Sequence, residues 1–372
     1  MSDMRSRNRT AVITAILFLL PNLLGFLTFT FFPVILSFFG SFTTWSLRPS
    51  VPLEFIGLAN FTDLLTDGQF YYYLYNTVYL MLALPITIAG SLFLAVFLSS
   101  HFRFETYGAR STLAGVSLLF FLGIAAIYGL GGSADGAYLF GFLGLTAALG
   151  LRYGSMAYRV FYYLPHFTAG AATILLWTQL YNPNYGLINQ AIENFGSLLG
   201  QDWSGPRWLT STKSLLGFLP LPDHFNNGGF GFGAREAIMI MGIWAGIGGN
   251  NMILYLAAIS NIPPELYEAA DIDGASAWQK FRHITFPQLA PTTFFIVVMG
   301  VIMGLQGGFE QARLMTEGGP AGATTTLAYY IYTMGFQRLD LGYGSAVAWV
   351  LFILIFSLTL VNWKYGSSGA ND

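Results

Sequence analysis

The chain of 372 residues carries 9% charged residues against 54% hydrophobic and 17% aromatic, with a mean hydropathy of +0.57. Soluble proteins carry roughly 25% charged residues, so composition excludes a soluble globular chain and points to an integral membrane protein with short polar loops. A net charge of −2 without any basic run excludes nucleic-acid binding, and the absence of cysteine excludes disulfides and thiolate metal sites.

Arg5, Arg7 and Arg9 precede an apolar run from Ala11 to about Ser41, longer than the roughly 20 residues a bilayer needs. It lacks a small-residue cleavage site and reads as a retained span, kinked or tilted at Pro21 and Pro33. Residues 43–70 are polar and turn-rich and lie outside the bilayer. A second span covers Tyr71 to about Ser99, with Tyr71, Tyr72 and Tyr73 placed as an interfacial aromatic belt. Two further apolar stretches, Thr112–Leu130 and Ala137–Leu151, are split by GGSAD. They read as an inserted helical hairpin, although the second is short and glycine-rich enough for a re-entrant or interfacial piece. A span from Val160 to about Leu180 opens with FYYLPH and is followed by a polar, Gly- and Pro-rich loop over about 182–234 whose aromatic residues imply packing on a neighbour. The sixth span is Arg235–Ser260, the seventh Thr292 to about Phe309, and the last Tyr343–Trp363, ahead of a polar tail at 364–372.

Between the sixth and seventh spans lies the polar stretch 262–291. Pro263 and Pro264 suit the start of a helix, and Gly274 suits a left-handed stop. Ser276 with Gln279 three residues on makes a capping box, Trp278, Phe281 and Ile284 form an apolar stripe, and Pro287 is expected to end the second helix. Periodicity alone allows two amphipathic turns lying on the membrane.

Chemistry is sparse. No G-x-x-x-x-G-K-[ST] occurs, and the glycine run at Gly228–Glu236 lacks the lysine that would hold a nucleotide phosphate. His101, His166, His224 and His283 fall on separate segments without metal-ligand spacing, and no nucleophile motif stands in context. The chain therefore reads as a non-enzyme with neither metal nor cofactor. Polar groups inside spans carry more information, since a buried amide needs a partner or a water-lined path. For Asn76, Thr77 and Gln179 interhelical bonding or an interfacial position accounts for the residue at least as well as substrate contact does, and Asn76 and Gln179 sit near span ends. Asn250 and Asn251 follow Trp244, Gly246, Gly248 and Gly249 in mid-span, where glycines let a helix open, and with Gln306 and Glu310 they are the candidate substrate-path residues.

Glu268, Ala269, Ala270, Gly274, Ile284 and Pro287 reproduce, in order and spacing, a motif that resembles the EAA loop of binding-protein-dependent ABC importers, with Phe286 where that family has Leu. FIGLANFTDLL at 55–65, NPNYGLIN at 182–189, the W-x-G-x-G-like stretch at Trp244 and TEGGP at 316–320 resemble corresponding stretches of maltose- and glycerol-phosphate-type sugar permeases. The resemblance implies an all-α, polytopic fold of the type I importer kind, with about eight membrane helices: a six-helix permease core pattern plus the inserted hairpin. It implies an N-terminal helix and outside loop over residues 1–70, a permease domain over 71–363, and a cytoplasmic coupling loop 262–291 in which Glu268, Ala269, Ala270, Asp273, Gly274, Ile284 and Pro287 meet an ATPase. It also implies a second permease chain, two ATP-binding subunits that hold ATP–Mg, an extracytoplasmic solute-binding protein, and a sugar, polyol or glycoside as substrate. Where the family's maltose permeases use asparagines after the loop, this chain reads LQGGFE, which argues against maltose. Ten of the 16 Lys and Arg fall on the side of the EAA-like loop, so both termini are expected in the cytoplasm of a multi-pass cell-membrane protein. A secondary active transporter of a small polar solute is the alternative; it is expected to carry intramembrane carboxylates, and Glu310 is the one candidate.

Overall fold

A computed structural model describes residues 16–99, 107–130, 170–220 and 228–366, and isolated positions 14, 137, 138, 140, 141, 143–145, 148, 159, 163, 166, 222 and 225. The expectations for Arg5, Arg7, Arg9, His101, Arg103, Arg152, most of 137–151, the start of the fifth span and the end of the tail lie outside the described residues. Apart from three isolated β-bridges, the regular structure among the described residues is helical. Five helices there are long and apolar enough to cross a membrane: Ile16–Gly40, Gly68–Leu98, Ala234–Ser260, Ala290–Thr316 and Leu341–Lys364; Ala114–Gly129 and Gly170–Leu180 are shorter apolar helices.

The chain divides into two compact units. The first comprises residues 1–70 and 330–353. Its long helix α1 (Ile16–Gly40) stops against Trp45, whose ring leaves no room for a side chain at Gly40. Within it the ladder widens to a π turn at Leu27–Phe31, where the Phe32 amide reaches back to the Leu27 carbonyl just before Pro33. The proline that lacks an N–H is thereby absorbed without ending the helix. The segment expected to be turn-rich contains a short helix α2 (Ala59–Thr66). Buried Asn60 donates to the Ser41 carbonyl at 2.9 Å and the Thr43 carbonyl at 3.1 Å, which ties α2 to the end of α1. Asp67 accepts from both the Tyr330 hydroxyl at 2.8 Å and the Tyr343 hydroxyl at 3.1 Å.

The second unit comprises residues 71–329 and 354–372. It contains α3 (Gly68–Leu80, from Tyr71 on), α4 (Ala83–Leu98), α5 (Tyr107–Leu130), α6 (Gly170–Leu180), α7 (Leu187–Leu198), α8 (Ala234–Gly246), α9 (Asn250–Ser260), α10 (Pro264–Ile272), α11 (Ala277–Lys280), α12 (Ala290–Gln306) and α13 (Phe309–Gln311). One apolar core joins Leu94, Ala95 and Leu98 of α4 to Met252, Tyr255 and Ile259 of α9 and to Leu289 and Ile296 around α12. A second gathers Ile174, Trp177 and Tyr181 with Trp208, Ala237, Ile238, Met241 and Met315. The expected inserted hairpin is represented by α5, which packs on α7: buried Tyr128 donates to the Leu187 carbonyl and stacks on Phe140.

The NPNYG stretch proves structural. Asn182 accepts from the Asn184 and Tyr185 amides in an Asx turn. A side chain at Gly186 would collide with the Leu180 carbonyl, and Asn189 receives the Trp208 indole N–H at 2.7 Å.

Candidate functional site

The polar stretch 262–291 forms two short helices outside the spans. α10 ends in a Schellman motif: the Ala275 amide bonds the Ala270 carbonyl at 2.8 Å and the Gly274 amide bonds the Asp271 carbonyl at 3.1 Å, with Gly274 at φ +72°. α11 starts at the expected capping box, with Ser276 and Gln279 bonding each other's backbone. Buried Tyr267 bonds Thr285 at 2.9 Å and clamps α10 onto the chain that follows. Lys280 is turned onto Asp271 as an ion pair across the bend.

Of the coupling candidates, Glu268, Ala269, Asp273, Gly274 and Pro287 are exposed, while Ala270 and Ile284 are half-buried. Apolar side chains share the exposed surface: Ile272 is 88% and Leu266 41% accessible. Pro287 does not end the second helix. A π turn over Phe281–Thr285 lets the Phe286 amide reach the Phe281 carbonyl, and helix resumes through Pro287, the same device seen before Pro33.

The sixth span is broken at its middle. α8 ends at Gly246, Gly248 takes φ +87°, and α9 begins at Asn250. The Gly246 carbonyl accepts from Ser91 at 3.2 Å. A side chain at Gly246 would press on Thr87 and one at Gly90 on Ile247, so the small residues let α4 and the break approach closely. The seventh span is broken likewise, at Gly307 and Gly308, the latter at φ +82°.

Around the first break, Asn250 accepts from the Tyr163 hydroxyl at 2.9 Å, Tyr163 packs on the His166 ring, and the His166 Nδ1 lies beside Gly249. Asn250 is exposed and Asn251 half-buried. At the second break Gln306 and Glu310 are exposed, and the Glu310 carboxylate lies over Gly170 at the start of α6. Among the described residues no hydrogen bond joins the asparagines to Gln306 or Glu310. Tyr163 and His166 were missing from the sequence candidates, and the aromatic and histidine-bearing FYYLPH run was their signal.

A buried polar hub was not foreseen either. Arg235, the first residue of the expected sixth span, is 2% exposed. Its Nε donates to Asn76 Oδ1 and to the Ala323 carbonyl, each at 3.0 Å, and Nη2 donates to the Tyr72 hydroxyl at 3.1 Å. The rings of Tyr72, Tyr75 and Tyr79 surround the guanidinium. Tyr72, half-buried, is thereby tied into this hub. Neighbouring Glu236, fully buried, accepts from the Tyr79 hydroxyl and from the Leu215 and Gly233 amides. Asn76 in turn donates to the Gly322 and Thr325 carbonyls, so the glycine turn after TEGGP is stapled to α3. These residues are architectural: every charge is matched by donors or acceptors within the fold.

A family model described as the binding-protein-dependent transport system inner membrane component matches residues 142–365. A probable ABC transporter permease protein of Pyrococcus horikoshii is 30% identical over 354 residues, covering 94% of this chain and 95% of that one. A probable ABC transporter permease protein of Bacillus subtilis is 28% identical across 96% of this chain and 97% of that one. The sn-glycerol-3-phosphate transport system permease protein UgpA of Shigella flexneri is 34% identical over 215 residues, 58% of this chain and 64% of that protein. Among solved structures, a bacterial ABC transporter involved in the import of the acidic polysaccharide alginate shares the fold, with a TM-score of 0.66, 22% identity and 99% coverage of both chains.

Proposed function

The chain belongs to the family of binding-protein-dependent transport system inner membrane components, and from that membership we propose that it forms the translocation path for a sugar or a related polyol or glycoside and takes its driving motion from an ATPase through 262–291. The observation that carries the reading is connectivity. Both helices that leave the polar loop run directly to a glycine break: α9 from Ser260 back to Asn250, and α12 from Ala290 on to Gln306. Interrupted helices inside a membrane are tolerated where they line a cavity or a site. Amides and hydroxyls at such a break suit the hydroxyl groups of a carbohydrate, and aromatic rings give its apolar faces a surface. Tyr163, His166, Asn250 and Asn251 supply that chemistry at one break, and Gln306 and Glu310 at the other.

The loop supplies the other half of the reading. Its exposed face mixes carboxylates, at Glu265, Glu268 and Asp273, with bare Leu266 and Ile272, a surface built to be covered by another protein. The partner is an ATP-binding subunit, one of two that hold ATP–Mg in the assembled importer. A second permease chain completes the path, and a solute-binding protein delivers substrate on the opposite side. In this arrangement 262–291 and both termini are cytoplasmic, and transport proceeds by alternating access as the loop shifts with ATPase closure. Co-purification of ATP-binding subunits with the full chain, and with Glu268→Ala, tests the role of the loop. Glu268→Ala is expected to weaken that association, since hydrogen bonds to a charged group contribute about 1.5–3 kcal/mol. Failure of the unaltered chain to bring down any ATPase overturns the proposal.

A further inference from the structure

An apolar groove of about 400 Å³ runs along the seam between α4 and the second coupling helix. Ala89, Leu92, Phe93 and Val96 form one wall, at the i, i+3, i+4, i+7 spacing of a single helix face, and Trp278 and Phe281 form the other. The opposite face of α4, through Ser91, Leu94, Ala95 and Leu98, is buried in the core, so the groove is the outward side of a membrane span. Phe93 and Trp278 stand 67% and 66% bare.

Two exposed arginines adjoin the elements that line it. Arg159 donates to the Leu98 carbonyl at 3.0 Å, at the last turn of α4. Arg282 lies one turn beyond Trp278, at the i+4 position that shares its face. Among the described residues neither is paired with a carboxylate; the ion pair of this loop joins Lys280 to Asp271. An apolar trough along a membrane span, lined by a tryptophan and flanked by two arginines, has the chemistry that suits a phospholipid: hydrocarbon along the trough, anion at the cations.

We infer that this groove seats one acyl chain of an anionic phospholipid whose phosphate is held by Arg282 and Arg159, and that the lipid buttresses α11 against the span. The occupant is a membrane lipid, not a free anion or a partner helix. The binding half stands on the groove alone; the regulatory half rests on the proposed coupling role of 262–291.

The test uses the full chain in nanodiscs of phosphatidylcholine with a minor share of phosphatidylglycerol, either of them bearing brominated acyl chains that quench nearby tryptophan. Trp278→Phe identifies the share of quenching that belongs to Trp278. Brominated phosphatidylglycerol is expected to quench that share at least fivefold more effectively than brominated phosphatidylcholine. Arg282→Gln together with Arg159→Gln is expected to bring the ratio near one, and Ala89→Phe or Ala277→Leu, which fill the trough from exposed positions, to remove the preference with both cations in place. Equal quenching by the two lipids in the unaltered chain, or a preference that survives both trough-filling variants, overturns the inference. So does quenching that vanishes when a second permease chain is assembled, which makes the occupant a protein. Selective quenching without any effect of phosphatidylglycerol on binding-protein-stimulated ATP hydrolysis removes the regulatory half only. Loss of ATPase association in every lipid counts against the coupling role instead, and leaves the quenching result intact.

Discussion

Replacement of Gly274 isolates what the bend in 262–291 contributes. No atom lies within 4 Å of where a Cβ at this position would sit, so a substitution meets open space and its effect comes from the backbone alone. At φ +72° a non-glycine residue costs about 1–3 kcal/mol, and a β-branched one lies at or beyond the upper end. Asparagine accepts the left-handed region far more readily and is the natural substitute at this point of a Schellman motif. The expected order of damage is therefore Asn, then Ala, then Val. With a factor of ten for each 1.4 kcal/mol, Gly274→Val should lower the population of the correctly bent loop by roughly 10- to 100-fold, while Gly274→Asn stays within a few-fold of the unaltered chain. Binding-protein-stimulated ATP hydrolysis and solute uptake in proteoliposomes, alongside co-purified ATPase, report that population. Equal activity of all three variants, or an Asn variant as damaged as Val, would refute the claim that the left-handed bend positions α10 and α11 for coupling.

Gly308→Ala places a Cβ 2.5 Å from Thr326 at φ +82°; a cost of about 1–3 kcal/mol at the break should slow uptake, whereas Gly57→Ala, strained in the same left-handed way but away from either break, should leave uptake unchanged in the same assay. Asn250→Leu, Asn251→Leu and Tyr163→Phe should shift the ranking of transported sugars more than they change ATP hydrolysis, as measured by competition uptake across a sugar panel. Arg235→Met should strip buried Asn76 and Ala323 and half-buried Tyr72 of their donor; with about 1.5–3 kcal/mol for each charged hydrogen bond, a marked fall in thermal stability in detergent is expected, against none for exposed Arg207→Met. Tyr128→Phe should cost about 0.5–1.5 kcal/mol, read in the same melting assay, if α5 is held to α7 by its bond to Leu187.

What the sequence disclosed was what is encoded locally. The left-handed Gly274 and the Ser276–Gln279 capping box each depend on residues within one turn, and both stand where the residues placed them. The break before Asn250 was readable for the same reason, since a cluster of glycines in a span has few other uses. Long-range pairing was not readable. Arg235 follows a glycine-rich loop and looks like a loop cation, yet its acceptor Asn76 is 159 positions away, and nothing near either residue announces the other. Pro287 misled for a subtler reason. A proline forbids the α register at its own amide, but a π turn just ahead of it moves the obstructed carbonyls aside, so helix can continue where the rule for an α-helix says it stops.

The placement of the two breaks constrains how a displacement of the loop can travel. α9 has 11 residues and α12 has 17, so at 1.5 Å per residue each is a rod of roughly 16 Å and 25 Å between the loop and its break. The rods are locked together along α9 by Met252, Tyr255, Ile259, Leu289 and Ile296, and by the Tyr255 hydroxyl on Thr293 at 3.1 Å. Close-packed interiors resist continuous deformation, so a push on α10 and α11 moves this pair as one body, and the strain collects where the backbone can turn. Gly248 and Gly308, both at positive φ, are those points. Beyond them the chain is held firmly, by the Arg235 hub on α8 and by the staple from Asn76 to the turn at Gly322. Under the proposed coupling through 262–291, a rigid pair of rods between that loop and an anchored far half would concentrate the motion at Asn250 and Gln306, where the residues proposed to meet the substrate stand.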